Sequence, residues 1–271
     1  MRYLNPNLKF ILECLALKSC SFLVGGWFFF FFLSFPGQAQ QKQTTYQKLV
    51  WARYSLGLAL NEKWELANEV DERRFVFPDK QHQLLFRSTL LYKMSDTWQP
   101  GLGFTYFLQS PHDPRAASRL MVPELRPHQE INFRHALGER WSLRQRFRLE
   151  ERFYRKTSEG ELTDGYNFNF RFRLKFDLFY TLLKNQEEKE RLVLALSEEV
   201  MFNAGSQILY NVFDQNRVYG GLRWNTGENT ALEGGYLWWY QQRQNGNSFY
   251  HRDIVRFTFH HKIAFAKSTP K

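Results

Sequence analysis

Trp141-Ser142-Leu143-Arg144-Gln145-Arg146-Phe147-Arg148-Leu149-Glu150-Glu151-Arg152-Phe153 separates into two sets of residues when it is read at every second position. One set holds Trp141, Leu143, Phe147, Leu149 and Phe153. The other holds Arg144, Arg146, Arg148, Glu150 and Arg152. A period of two is that of a β-strand, whose successive side chains point to opposite sides of the sheet. Helical spacing fails, because Arg144 and Arg148 would share a face that Arg146 leaves. One side of this strand suits hydrocarbon and the other is nearly all charge. A closed transmembrane barrel offers both environments at once.

The same pattern continues outward from this stretch. In Tyr166–Leu178 the even positions are Tyr166, Phe168, Phe170, Phe172, Leu174, Phe176 and Leu178. The odd ones are Asn167, Asn169, Arg171, Arg173, Lys175 and Asp177. Alternation predicts strands near Leu49–Leu60, Trp64–Phe75, Gln81–Lys93, Trp98–Leu108 and Arg126–Leu137, then Trp141–Phe153 and Tyr166–Leu178. Leu192–Asn203, Arg217–Trp224, Leu232–Gln242 and Arg252–Ile263 complete the set. Twelve residues at ~3.3 Å each and a ~40° tilt rise about 30 Å, enough to cross a membrane. The count is eleven, whereas bacterial barrels of this type carry an even number. The expectation is therefore an all-β, antiparallel, up-and-down transmembrane barrel of about 10–12 strands, with twelve preferred.

Short turns are expected at Asn61–Lys63, Ser95–Thr97, Gly138–Arg140 and Thr226–Asn229. Longer connections are expected at Val76–Lys80, Ser110–Leu125, Lys156–Gly165, Ala204–Asn216 and Arg243–His251. Trp64, Tyr92, Trp98, Trp141 and Trp224 lie on the apolar side of their strands, each beside a short turn. Amphipathic rings prefer the headgroup level, so these five form an expected interfacial girdle.

The N-terminus reads as an export signal. Arg2, Lys9 and Lys18 precede the apolar run Ser21–Phe35, and Gly37-Gln38-Ala39 supplies small residues for cleavage after Ala39. Residues 1–39 are thus the expected signal peptide and 40–271 the expected barrel domain, located in the outer membrane. An uncleaved helical anchor is the rival, although the run is short of the ~20 residues a span needs. Both cysteines, Cys14 and Cys20, fall in the leader, so the remaining chain has no thiol chemistry and no disulfide framework. The whole chain carries 37 basic and 27 acidic residues. Without Arg2, Lys9, Lys18 and Glu13 these become 34 and 26, a net charge of +8. The positive charges alternate with apolar residues and mix with acids, unlike a nucleic-acid-binding patch, and nucleic acid is not an expected partner.

Several stretches resemble a known family: Gln81-His82-Gln83, Val122-Pro123-Glu124-Leu125-Arg126-Pro127-His128-Gln129-Glu130, and Arg146-Phe147-Arg148-Leu149-Glu150-Glu151-Arg152-Phe153. Ser197-Glu198-Glu199-Val200, Phe213-Asp214-Gln215-Asn216-Arg217 and Gly235-Tyr236-Leu237 belong with them. Together these resemble the domain of unknown function numbered 2490, a family of predicted outer-membrane β-barrels of Bacteroidetes-type bacteria. The resemblance spans essentially the whole chain after the leader. It implies a barrel and an outer-membrane address, and it supplies no activity.

Alternation assigns Arg73, Arg87, Glu130, Arg134, Arg144, Arg146, Arg148, Glu150 and Arg152 to the lumen. Arg171, Arg173, Lys175, Glu199, Arg217 and Arg256 join them, as do Gln81 and Gln83. One reading is a non-enzymatic structural barrel filled by ion-paired ladders, because small barrels are filled by side chains. A second is a narrow anion-preferring channel, since arginine outnumbers acid in the middle strands. A third is an outer-membrane lipid hydrolase of phospholipase or deacylase type. That chemistry needs a nucleophile, a base and an orienting group. Ser88 with Asn68 is the candidate pair, but no histidine accompanies them and no catalytic residue is assigned. His260-His261 face opposite ways and cannot chelate one metal as a local pair, so no metal or other cofactor is expected. Lipids and lipopolysaccharide outside, and the barrel-assembly machinery during biogenesis, are the expected partners; the sequence does not define an oligomeric state. A soluble barrel with apolar residues inward and charge outward gives the same alternation with its faces exchanged.

Overall fold

The computed structural model describes residues 42–187 and 189–265. The expected signal peptide, 1–39, lies outside them. Eleven strands occur among the described residues: β1 Gln43–Ala59, β2 Trp64–Phe75, β3 Lys80–Tyr92, β4 Trp98–Gln109, β5 Val122–Ala136 and β6 Trp141–Ser158. They continue with β7 Glu161–Lys184, β8 Glu190–Ala204, β9 Phe213–Asn225, β10 Thr230–Gln242 and β11 Ser248–Ala264. Each strand pairs with its neighbours in sequence, and β1 pairs with β11, closing the barrel.

The strand count read from alternation is therefore the count observed, and the expected even number is not. An odd number of strands running alternately up and down brings the first and last together in the same direction. β1 and β11 accordingly pair in parallel, from Gln43 with Ser248 to Ala59 with Ala264, while every other pair is antiparallel. Gln43–Ala59 is one continuous strand and hides no extra crossing.

Register fixes the barrel's proportions. Starting at Trp51, one path runs through Arg73, Gln83 and Gln109 to Val122. The other runs through Arg256, Gly235, Gly221, Ala195, Phe179 and Ser142 to Ala136. The two paths meet β5 at residues 122 and 136, a stagger of 136 − 122 = 14 residues. Eleven strands with that stagger tilt by about 45° and enclose a backbone cylinder roughly 20 Å across.

The five connections at one end are short. At the other end, β6 and β7 run on through what alternation reads as a loop at Lys156–Gly165, and a tight turn at Glu159-Gly160 joins them. Both turn residues have positive φ, 51° and 85°, as in a two-residue hairpin whose twist matches its strands. The Val76–Asp79 connection is also shorter than expected.

Burial decides which face is which. Arg148 is 5% exposed and Glu150 is fully buried, whereas Phe147, next to Arg148 in the strand, is 41% exposed. Leu102 and Phe257 are 66% and 56% exposed on other strands. A belt of exposed Leu, Val and Phe around a charged interior is the reverse of a soluble barrel and the arrangement of a transmembrane one. The charge inside and the hydrocarbon-facing belt outside are the same alternation, seen from its two sides.

Candidate functional site

The interior is built from the inward residues of all eleven strands. Asp71, 0% exposed, accepts from Arg53 at 2.6 Å and from Arg73 at 2.9 Å. Glu69 binds Arg87 on the adjacent strand. Glu124 is shared by Arg126 at 2.7 Å and Arg152 at 2.5 Å. Glu130 holds Arg148, and Asp177 holds Arg144 at 2.8 Å and Lys175 at 2.7 Å. Arg173 bridges Glu150 at 2.5 Å and Glu199 at 2.8 Å, and Arg146 reaches Glu199 at 2.7 Å. Arg171 lies 2.9 Å from Asp214. Arg223 and Arg256 each lie 2.7 Å from Glu233, with His260 at 3.3 Å. A buried charge without its partner costs several kcal/mol, so these ladders hold together only as a set.

The lumen residues assigned from alternation lie inside the barrel except Gln81, and Arg134 stands exposed at the open mouth of the cavity it lines. Gln81 is corrected. A β-bulge between Arg73 and Arg74 inserts an extra residue opposite β2. The inserted residue shifts the parity, so Gln81 bonds Glu72 on the outer face at 3.0 Å and His82 turns inward, 0% exposed. Strict alternation cannot register a bulge, because bulges break the period itself.

Toward the end with the longer connections, the lumen holds an aromatic layer that alternation does not identify. Trp51 and Trp239 are 2% and 1% exposed, packed with Leu49, Phe75, Leu237 and Ile254. Arg73 stacks on Trp51 at 3.7 Å, Arg217 on Trp239 at 4.3 Å, and Arg252 on Trp239 at 4.4 Å. Cation–π contacts of this kind gain strength where water is excluded. The Ser110–Met121 connection folds onto this layer: the His112 ring stacks on Tyr250 at 5.2 Å, and the His112 carbonyl accepts from Gln47 at 2.7 Å. The signal was present in the sequence, since Leu49 and Trp51 share parity with Arg53, and Leu237 and Trp239 with Glu233.

Below Trp51 lies a cavity of about 290 Å³ that reaches toward the short-turn end, past Gln99, Arg134, Arg144 and Arg223. On its wall, Tyr219 lies against Gly221 and Gly235, where an added Cβ would come within 2.2 and 2.7 Å of the phenol oxygen. Arg256 stacks on that ring at 3.5 Å. Glycine in these strands serves close approach.

The hydrolase candidates are not brought together into a catalytic set. Asn68 and Ser88 pair across β2 and β3, and Asn68 donates to the Leu66 carbonyl at 3.4 Å. A hydroxyl–imidazole pair occurs elsewhere, Thr89 with His128 Nε2 at 3.0 Å. Both are buried, at 3% and 1% exposure, and a Cβ on Gly103 would lie 2.5 Å from that same Nε2. The close fit of Gly103 against the imidazole makes the pair a packing contact. No group of three or more metal-ligating side chains occurs among the described residues.

At the short-turn end Trp64 meets Tyr92 at 4.8 Å, Trp98 meets Phe133 at 4.5 Å and Trp141 meets Tyr180 at 4.5 Å, all on the outer face. Arg191 stands 5.7 Å over Trp224. The rings therefore sit in cross-strand pairs, which the one-residue-at-a-time reading does not anticipate.

No curated protein matches this chain. A solved structure described as "NanC porin structure in rhombohedral crystal form" superposes with a TM-score of 0.48 at 12% sequence identity, covering 79% of this chain and 99% of that one. The family model described as "Protein of unknown function (DUF2490)" matches residues 49–250, from the first buried residue of β1 into β11. With three quarters of its length inside that match, the chain belongs to the DUF2490 family of proteins of unknown function.

Proposed function

We propose that this chain is an outer-membrane β-barrel without enzymatic activity, closed to through-flow by its own side chains. It is exported by a leader cleaved after Ala39, faces lipid and lipopolysaccharide with its apolar belt, and is inserted by the barrel-assembly machinery. The five rings Trp64, Tyr92, Trp98, Trp141 and Trp224 then mark the inner headgroup level. The observation that carries the closed state is the Trp51–Trp239 layer with Arg73, Arg217 and Arg252 stacked on it.

Planar-bilayer recording tests this reading. The wild-type barrel is expected to pass almost no current, and the Trp51→Ala/Trp239→Ala variant to conduct with anion preference, because arginine lines what opens. A large steady conductance from the wild type would overturn the closed-barrel reading. The second reading, a narrow anion-preferring channel, draws support from the cavity below the layer, where basic side chains predominate. Recovery of the mature chain in the soluble fraction after carbonate washing would remove both.

A further inference from the structure

The cavity beneath Trp51 holds more positive charge than its carboxylates neutralise. Fourteen Arg and Lys side chains line it, against six Asp and Glu, and Asp71, Glu124, Glu150 and Asp214 add four more carboxylates that pair with those arginines. The surplus is concentrated at the deep end. Among the described residues Arg217, 9% exposed, meets a carboxylate only at Glu199, 3.8 Å away. Arg146 and Arg173 already engage the other oxygen of that carboxylate, at 2.7 and 2.8 Å. Nε of Arg73, Arg146, Arg217 and Arg256 and Nη1 of Arg148 are buried, and none makes a hydrogen bond among the described residues. All five side chains line the cavity.

A buried donor without an acceptor is costly. Guanidinium groups that outnumber the carboxylates around one cavity mark a place where an acceptor-rich guest is favoured. Guanidinium groups present their donors as a rigid fork, which matches the paired oxygens of phosphate and carboxylate. At about 290 Å³ the space is at the small end of ligand pockets, sized for a small molecule and not for a polymer. The aromatic layer seals the deep end, so access is from the short-turn mouth, where Arg134, Arg144 and Arg223 stand.

We propose that the cavity binds a small multiply charged oxyanion, bearing phosphate or carboxylate groups, at the level of Arg73, Arg148 and Arg217. This site rests on the closed-barrel reading only for its direction of entry. The guest supplies the negative charge that Glu199 cannot give three arginines at once. Neutral solutes gain nothing there.

Isothermal titration calorimetry on the folded barrel in zwitterionic detergent at low ionic strength tests the site, with pyrophosphate, citrate and glucose as probes. Saturable 1:1 binding of at least one anion, and none of glucose, is expected. Tighter binding of pyrophosphate assigns a phosphate guest, and tighter binding of citrate a carboxylate one. Arg217→Gln should weaken binding at least tenfold, and Arg217→Lys less. If Arg217→Gln loses heat-modifiable mobility, Arg256→Gln takes its place with the same tenfold expectation. Absence of saturable binding by either anion, or unchanged binding by a folded Arg217→Gln barrel, overturns the site. Bilayer recording on the same preparation keeps the two readings apart: a silent barrel that binds no anion overturns the site alone, and a conducting barrel that binds overturns the closed state alone.

Discussion

Glu199 is the residue whose loss the interior should feel most. It is 5% exposed and lies 2.7 Å from Arg146, 2.8 Å from Arg173 and 3.8 Å from Arg217. Arg173 keeps Glu150 at 2.5 Å when Glu199 is neutralised. Arg146 and Arg217 have no other carboxylate within ion-pair distance among the described residues. Glu199→Gln preserves shape and one acceptor oxygen while leaving two largely buried guanidinium groups without counter-charge. Removing one partner of a buried pair costs about 3–5 kcal/mol. Because the Arg146 side chain is 16% exposed and is partly solvated, the lower end of about 3 kcal/mol is expected. Arg217→Gln removes the most weakly neutralised cation of the group and should cost under about 1 kcal/mol. Urea titration of folding into lipid vesicles, read by heat-modifiable mobility and tryptophan fluorescence, measures both. Equal costs for the two variants, or a Glu199→Gln barrel as stable as wild type, would refute the view that this carboxylate holds the arginine cluster.

Phe147→Arg places charge on the lipid face between Ile131 and Leu174, and folding titrations should register a loss of about 2–4 kcal/mol. Gly103→Ala pushes a methyl to 2.5 Å from both the Ser88 carbonyl and His128 Nε2, and should cost about 1–3 kcal/mol by overpacking in the same assay. Ser88→Ala should leave phospholipid and lipopolysaccharide chemically unaltered relative to wild type; serine-dependent fatty-acid release in a thin-layer assay would restore the hydrolase reading.

The strands were legible because a barrel in lipid demands opposite chemistry on its two faces, and Arg144–Arg152 or Phe168–Leu178 write that demand residue by residue. The inward ladder of Arg73, Arg87, Arg148, Glu150, Arg173 and Glu199 follows from parity alone. Pairing does not, because Arg146 reaches Glu199 across β7 and depends on the registers of two successive strand pairs. His82 escaped because a bulge is one residue without a period. Trp51 and Trp239 escaped for another reason: an aromatic side chain on the charged face looks like an exception until three arginines are found stacked on it.

The parallel seam between β1 and β11 governs where the chain's two ends emerge. In an even barrel both ends exit on the same side and a short linker can join them. Here Gln43 and Ala264 occupy opposite rims, and β1 alone, 17 residues long, rises roughly 40 Å at the barrel's tilt. Circular permutation through a few-residue linker is therefore closed to this barrel. An epitope inserted before Gln43 and one placed after Ala264 are presented on opposite sides of the bilayer, so protease applied to intact cells removes one and spares the other.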